Sequence, residues 1–265
     1  MPPPSRLVLL GQPVGHSLSP RIQNAALRSA GIPVEYVALD VAPAQLPAVL
    51  DEIVATGAAG NVTIPHKEAV AGRASLTPLA QRVGAVNTFW VDGPTLHGDN
   101  TDVHGFDATI RALLGAPPSG IIVVLGAGGA AAAVLAAVEG WHAAAALVHG
   151  RTPERVARLC ARFPRVARPA ESLESALRHA VLVVNATPVG LSGDVHPVPL
   201  ELIPHDAAVV DLVYRAGGTS WSRAAAERGH RACDGLPMLV EQGAAAFEQW
   251  FGVRADRAAM WAAVS

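Results

Sequence analysis

Short polar side chains stand immediately after several apolar runs in the first hundred residues of the chain. They offer hydroxyls, amides, one ammonium and one carboxylate, which suit a small polyhydroxylated acid better than a nucleobase. Each also has a structural alternative, as a helix cap or a turn residue, so only their joint placement favours a binding site. The residues are Ser17, Ser19, Asn61, Thr63, Lys67, Asn87, Asn100 and Asp102.

A glycine-rich turn near the middle of the chain, GAGGAA at 126–131, is typical of a loop that binds the pyrophosphate of a dinucleotide. Gly126 permits a sharp turn from strand to helix, and Gly128 lets the backbone approach the phosphates. Ala131 fills the third position, where a small residue allows close helix–strand packing. The amides at the helix start would then face the phosphates. A glycine turn that binds no ligand is the alternative.

The strand predicted after this turn ends in HGRTPER, and its polar residues distinguish two cofactors. A loop that holds NAD usually carries an acidic residue here, bound to the ribose 2′-hydroxyl. This chain has Arg151 and Thr152 instead, with Arg155 one turn further on. Because a guanidinium can bind a 2′-phosphate through two hydrogen bonds, these residues favour NADP over NAD. Two solvated arginines at a helix start are the alternative.

Apolar runs alternate with helical patterns along the whole chain, which indicates α/β architecture with parallel strands. Ligands of such sheets bind beyond the carboxyl ends of the strands, where the polar residues above are placed. The residues DGP at 92–94 predict a turn between two extended arms. Strands are predicted at 6–11, 34–41, 58–65, 120–125, 144–150, 180–190 and 207–215. Helices are predicted at 19–31, 43–57, 103–115, 130–140, 153–163, 235–252 and 254–264.

Composition argues against several classes of protein. The most apolar stretch, 120–138, is interrupted by glycines, so no membrane span is predicted. A formal net charge of −2 without a long basic run argues against a nucleic-acid partner. The histidines show no metal-ligand spacing, and no metal is predicted. Cys160 and Cys233 form no disulfide framework and are interpreted as packing residues; without an export signal, a cytoplasmic location is expected.

Nine stretches, in their order and spacing, resemble the shikimate dehydrogenase family over nearly the whole chain. NVTIPHK together with GDNTD is far more specific than the glycine turn. The stretches are GQPVGHSLSP, GNVTIPHK, GAVNT, GDNTD, GAGGAA, GRT, NATPVG, DLVY and GLPMLVEQ followed by Phe and Trp.

The resemblance implies a two-domain α/β fold, with an N-terminal open α/β substrate domain and a Rossmann-like NADP-binding domain. The substrate domain would span 1–104, completed by C-terminal helices at 236–265, and the NADP domain would span 105–235. The implied reaction is the NADP-linked interconversion of 3-dehydroshikimate and shikimate, in the biosynthesis of chorismate and the aromatic amino acids.

The resemblance also implies roles for individual residues. Lys67 and Asp102 look like the catalytic pair. Ser17, Ser19 and Tyr214 look like the residues that bind the substrate carboxylate, and Thr63, Asn87 and Gln242 like those that bind the ring hydroxyls. The residues that match the NADP site are Gly126, Ala127, Gly128, Gly129, Ala130, Gly150, Arg151, Thr152, Arg155, Leu212 and Gly235.

Four positions depart from the family pattern. Gly150 replaces the Asn before RT, and Ala132 stands where an Arg often follows the glycine turn. The first departure removes a side-chain contact to the adenosine end, and both bear on cofactor affinity and on the preference for NADP. Ala216 replaces a Pro, and Pro78 replaces an acidic residue of some members. The first two departures leave the hydride chemistry untouched.

On this hypothesis Lys67 donates a proton to the ketone oxygen during reduction and accepts it back during oxidation, while Asp102 orients it. His66 is interpreted as structural. Two domains that flank a cleft would close on binding, with hinges near Gly105 and Gly235. The expected partner is a small-molecule substrate, with neither nucleic acid nor membrane, and the chain is expected to be a monomer or a homodimer.

Three alternatives stay open. One is a dehydrogenase of quinate or an aminated shikimate analogue with relaxed use of NAD and NADP. Another is an NADP-binding sensor without catalysis, against which the intact Lys67 and Asp102 argue. The third is a folate-linked dehydrogenase of similar two-domain shape, although the hydroxyl-rich HSLSP fits a pterin poorly.

Overall fold

The chain contains two six-stranded sheets, each in its own unit, in a computed structural model that describes residues 4–142 and 144–265. The first unit is built from the chain up to Gly105 and from Leu239–Ser265, and the second unit is Phe106–Met238. The predicted boundaries, after 104 and after 235, lie one and three residues from these positions.

The first unit begins with alternating strands and helices and then forms a hairpin. Its elements are β1 (Leu7–Gly11), α1 (Ser19–Ser29), β2 (Tyr36–Asp40), α2 (Leu46–Thr56), β3 (Ala59–Val62), α3 (Lys67–Ala71), β4 (Ser75–Leu76), α4 (Pro78–Val83), β5 (Thr88–Asp92) and β6 (Thr95–Asp99), followed by α5 (Asp102–Leu114), which leads into the second unit. The predicted strands and helices of this part are present; their bounds are shorter, except for α5, which is shifted by one residue.

The sheet of the first unit has the order β2-β1-β3-β5-β6-β4. Strand β1 pairs parallel with β2 and β3, but β5 is antiparallel to both β3 and β6. The parallel strands predicted from the alternation are present in β1, β2 and β3, and the turn predicted at DGP joins two antiparallel strands, β5 and β6. The β5–β6 pairing follows from the two-residue turn at Gly93 and Pro94, where Gly93 has a φ of 56° and the chain reverses at once.

This mixed pairing brings the polar loops to one edge of the sheet. Strand order reverses at β1, so the carboxyl ends of β1 and β3 flank a switch point of the kind that binds ligands in open α/β sheets. Because β5 runs antiparallel to β3, the residues before β5 lie at that same edge. The residues after β6 return to it as well.

The second unit continues the alternation with a fully parallel sheet. Its elements are β7 (Gly120–Leu125), α6 (Gly129–Glu139), β8 (Ala144–His149), α7 (Pro153–Arg162), β9 (Ala167–Pro169), α8 (Leu173–Leu177), β10 (Ala180–Asn185), a 3₁₀ turn (Leu200–Leu202), β11 (Ala208–Asp211), α9 (Ser220–Glu227) and β12 (Ala232–Cys233). The last helices are α10 (Leu236–Phe251) and α11 (Arg257–Ala262).

The order of the second sheet is β12-β11-β10-β7-β8-β9. Counted from β7, this is the doubly wound order of the Rossmann fold, in which a dinucleotide binds where the strand order reverses. Here that point lies between β7 and β10. The α/β fold class with a Rossmann-like unit, predicted from the sequence, is confirmed.

Each unit has its own apolar core beneath the helices. In the first, Leu10, Val62 and Phe89 from the sheet pack with Leu50 of α2, all at most 2% exposed. In the second, Val123, Val183 and Val209 pack with Trp221 of α9. Over the described residues, no helix has both the length and the apolar character needed to cross a bilayer.

The C-terminal helices are joined by an ion-pair network in the first unit. Arg257 at the start of α11 donates to Glu241 at 2.9 Å and to Glu248 at 2.7 Å, both on α10. Asp256 caps α11 through the amide of Ala259 and accepts a hydrogen bond from Ser29 of α1 at 2.6 Å.

Replacing Arg257 with Met will lower the free energy of unfolding of the first unit by about 1 kcal/mol, because one guanidinium serves two partly buried carboxylates. Urea unfolding followed by circular dichroism measures the change. Arg21→Met on α1 is the control, since Arg21 is exposed and forms no ion pair within the described part of the chain. Equal midpoints for the two variants would contradict the assigned role.

Candidate active site

An ion pair between Lys67 and Asp102 lies at the edge of the first sheet where the polar loops meet. The Lys67 Nζ donates to Asp102 Oδ2 at 2.5 Å, and the two side chains are 18% and 8% exposed. Lys67 opens α3 just after β3, and Asp102 opens α5 just after β6. The pair therefore offers an ammonium and a carboxylate in contact, still reachable from solvent.

Asn87 is the centre of the hydrogen-bond network around this pair. Its amide nitrogen donates to Asp102 Oδ1 at 2.9 Å, Thr101 Oγ1 at 2.9 Å and Gln242 Oε1 at 3.1 Å. Its amide oxygen accepts the backbone N–H of Thr101 at 2.7 Å. Asn87 thus fixes the carboxylate of Asp102 and links it to Gln242 of α10.

Thr101 belongs to this network and was missed by the sequence reasoning. It is 7% exposed, and both its amide and its hydroxyl bond to Asn87. A threonine between Asn100 and Asp102 gave no signal of its own, because its partner stands fourteen positions earlier in the chain.

Two other predicted polar residues hold the loops rather than face the pair. Asn61 accepts from the Tyr36 hydroxyl at 2.8 Å and donates to the Asn87 carbonyl at 3.1 Å. Asn100 is fully buried and donates to the Ala85 carbonyl at 2.8 Å. Both side chains place the backbone on which Asn87 and Asp102 stand.

His66, which directly precedes Lys67, is 1% exposed, and its Nε2 lies 2.6 Å from the Val41 carbonyl oxygen. The ring fixes the start of α3 against the end of β2. This contact agrees with its interpretation as a structural residue.

The loops after β1 and β3 lie side by side. The amide of Thr63 donates to the Leu10 carbonyl at 2.8 Å, and a Cβ at Gly11 would lie 2.3 Å from the Thr63 methyl. Gly11 is thus needed to leave room for the half-buried Thr63. On the same side, Ser17 accepts the amide of Ser19 at 3.2 Å. The alternative that Ser19 caps α1 is wrong, because Leu18 is the cap residue and Ser19 is already helical.

The glycine turn of the second unit follows β7 at the switch point of its sheet. Gly126 has a φ of 116°, and a Cβ there would lie 2.8 Å from the Ala186 carbonyl oxygen. Gly128 caps α6, and a Cβ at Gly128 would meet nothing within 4 Å. The first amides of α6, at Gly129 and Ala130, precede the first N–H that bonds within the helix. With Ala127 they form a half-buried loop.

The residues after β8 are exposed at the start of α7. Thr152 caps this helix without a side-chain hydrogen bond, and Arg151 and Arg155 flank it. Neither arginine forms an ion pair within the described residues. A Cβ at Gly150 would lie 3.1 Å from Val156, while Ala132 is buried in α6, so neither position offers a side chain to an adenosine.

A buried carboxylate that the sequence reasoning passed over holds the loop after β11. Asp211 is fully buried, and its Oδ1 accepts the amide of Val213 at 3.1 Å and Asn185 Nδ2 at 2.8 Å. Its Oδ2 accepts the Thr219 hydroxyl at 2.8 Å. The loop that it holds carries the predicted site residues Leu212 and Tyr214. The stretch DLVY contained this aspartate and Val213, but its side-chain partners Asn185 and Thr219 lie elsewhere in the chain.

Asp234 holds the same loop from the other side. It accepts the amides of Arg215 at 3.2 Å and Leu236 at 3.0 Å. Next to it, a Cβ at Gly235 would lie 2.3 Å from the Leu212 carbonyl oxygen, so only glycine allows this approach. Predicted site residues Leu212 and Gly235 are therefore brought together by the backbone.

Burial raises the pKa of both Asp211 and Asp234 above the ordinary carboxyl value, and the hydrogen bonds that they accept offset this only in part. A raised folded pKa stabilises the fold below the unfolded value of about 4, and this contribution is lost as pH rises through the folded pKa. The stability lost on Asp234→Asn will therefore be larger at pH 4 than at pH 7. Urea unfolding at both pH values measures this, with exposed Asp206→Asn as the control. Equal losses at the two pH values would contradict it.

The two cysteines lie on α7 and β12 and are free thiols. Burial raises the pKa of Cys160 on α7, and burial together with Asp234 and Asp211 raises that of Cys233 on β12 to about 12. Both thiols stay protonated at neutral pH and are poor nucleophiles. No group of three or more His, Cys, Asp or Glu side chains that could hold a metal ion occurs in the described part of the chain.

Lys67 is the only lysine in the sequence; the other nineteen residues of the Lys and Arg total are arginines. An arginine keeps its proton under all ordinary conditions, whereas a lysine amine can release it. Among the Lys and Arg side chains, the chain thus has a guanidinium at nineteen positions and an amine only where it meets Asp102. This count singles out Lys67 without any motif, and the sequence reasoning did not use it.

A Rossmann-type unit with a glycine turn, next in the chain to an α/β unit with a paired ammonium and carboxylate, is typical of dehydrogenases that use a nicotinamide dinucleotide. Two family models match: "Shikimate dehydrogenase substrate binding domain" at residues 9–89, and "Shikimate 5'-dehydrogenase C-terminal domain" at residues 235–264.

Relatives agree over nearly the full length. An NADP(+) shikimate dehydrogenase of Thermus thermophilus is 43% identical over 262 residues, covering 96% of this chain and 95% of the relative. A crystal structure of the Thermus thermophilus enzyme in complex with NADP(H) and shikimate superposes with a TM-score of 0.87 at 41% identity, covering 98% of each chain. That of the Aquifex aeolicus enzyme gives 0.90 at 34% identity, with 98% and 97% covered. The chain belongs to the shikimate dehydrogenase family.

Proposed function

We propose that this protein catalyses the NADP-linked, reversible reduction of 3-dehydroshikimate to shikimate. The observation that carries the proposal is the contact between the only lysine of the chain and Asp102, held by Asn87 at the ligand-binding edge of the first sheet. Family membership supports the substrate, since the relative from Thermus thermophilus is solved with NADP(H) and shikimate.

The second unit fits a phosphorylated dinucleotide. The open space beside Gly128, the free amides at the start of α6 and the exposed Arg151 and Arg155 suit a pyrophosphate and a 2′-phosphate. The cofactor, when bound, supplies the hydride. Residues Gly126 to Ala130, Gly150 to Thr152 and Arg155 are proposed to hold it, and the family resemblance adds Leu212 and Gly235.

The residues of this chain supply placement and a proton. Lys67 is proposed to donate its proton to the ketone oxygen as the alcohol forms, and to take it back in the reverse direction. Asp102, bonded to Lys67 and Asn87, is proposed to keep the amine aimed at the ketone oxygen.

The remaining predicted residues are proposed to orient the substrate. Thr63, Asn87 and Gln242 would bind its ring hydroxyls. Ser17 and Ser19 would bind its carboxylate, a role that the family resemblance also gives to Tyr214. Asn87 donates a hydrogen bond to Gln242 Oε1, so a substrate hydroxyl would replace or share that bond.

The test is a steady-state assay of NADPH oxidation with 3-dehydroshikimate, and of the reverse reaction with shikimate and quinate, each repeated with the non-phosphorylated cofactor. The proposal expects the highest kcat/KM with NADPH and 3-dehydroshikimate. A higher kcat/KM for quinate, or for NADH, would favour the alternative of relaxed specificity. NADPH binding without dehydroshikimate-dependent oxidation would favour the sensor.

A cytoplasmic location and a monomeric or homodimeric state are part of the same proposal. Both cysteines are free thiols, which agrees with a reducing compartment. Cell fractionation followed by light scattering of the purified protein tests the two statements, and a larger assembly or a secreted protein would contradict them.

A further inference from the structure

Helix α7 carries more arginines than the proposed 2′-phosphate site uses. Arg155, Arg158 and Arg162 recur every three or four residues and so lie along one face of the helix, and Arg151 stands just before its first turn. All four residues are exposed. We call these four residues the arginine stripe. Arg151 and Arg155 are at its start, and Arg158 and Arg162 extend it away from the proposed phosphate site.

The surroundings of the stripe concentrate positive charge in one short segment. Residues 151–168 contain six arginines and a single carboxylate, Glu154, which gives a net charge of +5. The whole chain has a formal net charge of −2, so the remaining residues carry −7. An anion that approaches this protein is repelled by most of the chain and attracted by this segment.

The charges at the start of the stripe are not neutralised by neighbours. Arg151, Arg155 and Arg158 take part in no ion pair within the residues that the structure describes. Elsewhere in the segment, Arg165 pairs with Glu139 at 3.3 Å, and Arg168 donates to the carbonyls of Pro164 and Ala167. The field of the first three arginines of the stripe is therefore directed into solvent.

We propose that the arginine stripe is an electrostatic guide for the phosphorylated dinucleotide, in which Arg158, and more weakly Arg162, speed its arrival without contacting it once bound. The inference rests on the proposed function and deepens it. Arg158 stands about 4.5 Å along the helix axis from Arg155, and Arg162 about 10.5 Å. The Debye length is about 8 Å at physiological ionic strength, so Arg158 acts within it and Arg162 only in part.

The guide predicts a change in association and none in dissociation. Stopped-flow binding of NADPH to the full chain gives both rate constants. At an ionic strength of about 0.01 M, Arg158→Gln should lower the association rate constant about two- to five-fold, and Arg158→Glu by about the square of that factor. The dissociation rate constant should stay the same, and the difference should vanish in high salt. Because NADH lacks the 2′-phosphate, its association should fall less.

Arg231→Gln is the matched control. Arg231 is exposed and precedes β12, so it lies at the amino edge of the second sheet, opposite the edge with the glycine turn. Both rate constants should remain at their unsubstituted values.

Association rates that Arg158→Gln and Arg158→Glu leave unchanged at low salt would overturn the guide, as would a faster dissociation, which would make Arg158 a direct contact. The proposed function is tested separately. If the unsubstituted chain binds NADPH but does not oxidise it with 3-dehydroshikimate, the enzyme proposal is wrong. The guide is then still tested by the association and dissociation rate constants of NADPH. If the unsubstituted chain binds no NADPH, both are wrong.

Discussion

Lys67→Arg will lower kcat by about 10²–10⁴-fold, the range of general acid–base catalysis, while KM for 3-dehydroshikimate changes less. The substitution keeps the positive charge beside Asp102 but removes the proton exchange, because a guanidinium does not release its proton in the accessible pH range. A purely electrostatic role for Lys67 would survive this change; an acid–base role would not. Steady-state kinetics across pH measures both parameters.

A second measurement distinguishes the loss of the Lys67 amine from a structural change around residue 67. Lys67→Ala leaves space beside Asp102, and a small primary amine in the buffer should restore part of kcat, whereas guanidine should not. Glu68→Gln, one residue further on α3 and exposed, is the control and should keep kcat. A Lys67→Arg variant with kcat near that of the unsubstituted chain would remove Lys67 from the proton transfer.

The single lysine allows a direct observation of the same group. Reductive methylation with ¹³C-formaldehyde labels only the Lys67 side chain and the terminal amine, because every other cationic side chain except histidine is arginine. Substrate binding should shift the Lys67 resonance and leave the terminal one in place. A Lys67 signal that does not respond to shikimate would place the amine away from the substrate.

The fold class was predictable because its signals are local. Apolar runs of four to six residues, separated by helical patterns and glycine stops, give the strands and helices of both units. The glycine turn predicted the Rossmann-like unit without any knowledge of the strand order. The residues DGP, which contain the turn between β5 and β6, predicted the hairpin.

The geometry of the candidate site was less predictable because it depends on pairing between distant strands. A purely parallel sheet gives no reason for the residues before β5 and after β6 to meet those after β3. The antiparallel β5–β6 hairpin brings these residues together, and it places Asn87 within hydrogen-bond distance of Asp102. The motifs predicted which residues belong to the site, but the register of the strands determines that they lie close together.

Residues whose role depends on a hydrogen bond to another part of the chain were the hardest to predict from the sequence. Asp211 reaches Asn185 across two neighbouring strands, and Thr101 reaches Asn87 across the hairpin. Neither residue type is unusual at its position, so the sequence alone singles out neither. The roles of the site residues toward substrate and cofactor stay predictions, which the variants described here test.

Asp102→Asn will lower kcat by about 10²-fold or more, because it removes the charge that stabilises and aims the Lys67 ammonium while keeping the shape of the side chain. The buried position sharpens the effect: Asp102 is 8% exposed, and the amide nitrogen of the new Asn would face either Lys67 or the donor of Asn87. An unpaired donor in that place costs about 1–3 kcal/mol. Kinetics at saturating substrate measure the loss.

The decisive form of this experiment is a double-mutant cycle. If Lys67 and Asp102 act as one unit, the Lys67→Met, Asp102→Asn double variant will be about as slow as Lys67→Met alone, because Asp102 has nothing left to orient. If the two residues contribute independently, their effects on kcat will multiply. Asp107→Asn is the control, since Asp107 stands on the same helix α5 but pairs with Arg111 and Trp141. Multiplying effects in the cycle would show that the 2.5 Å contact is structural, and that Asp102 serves the substrate by itself.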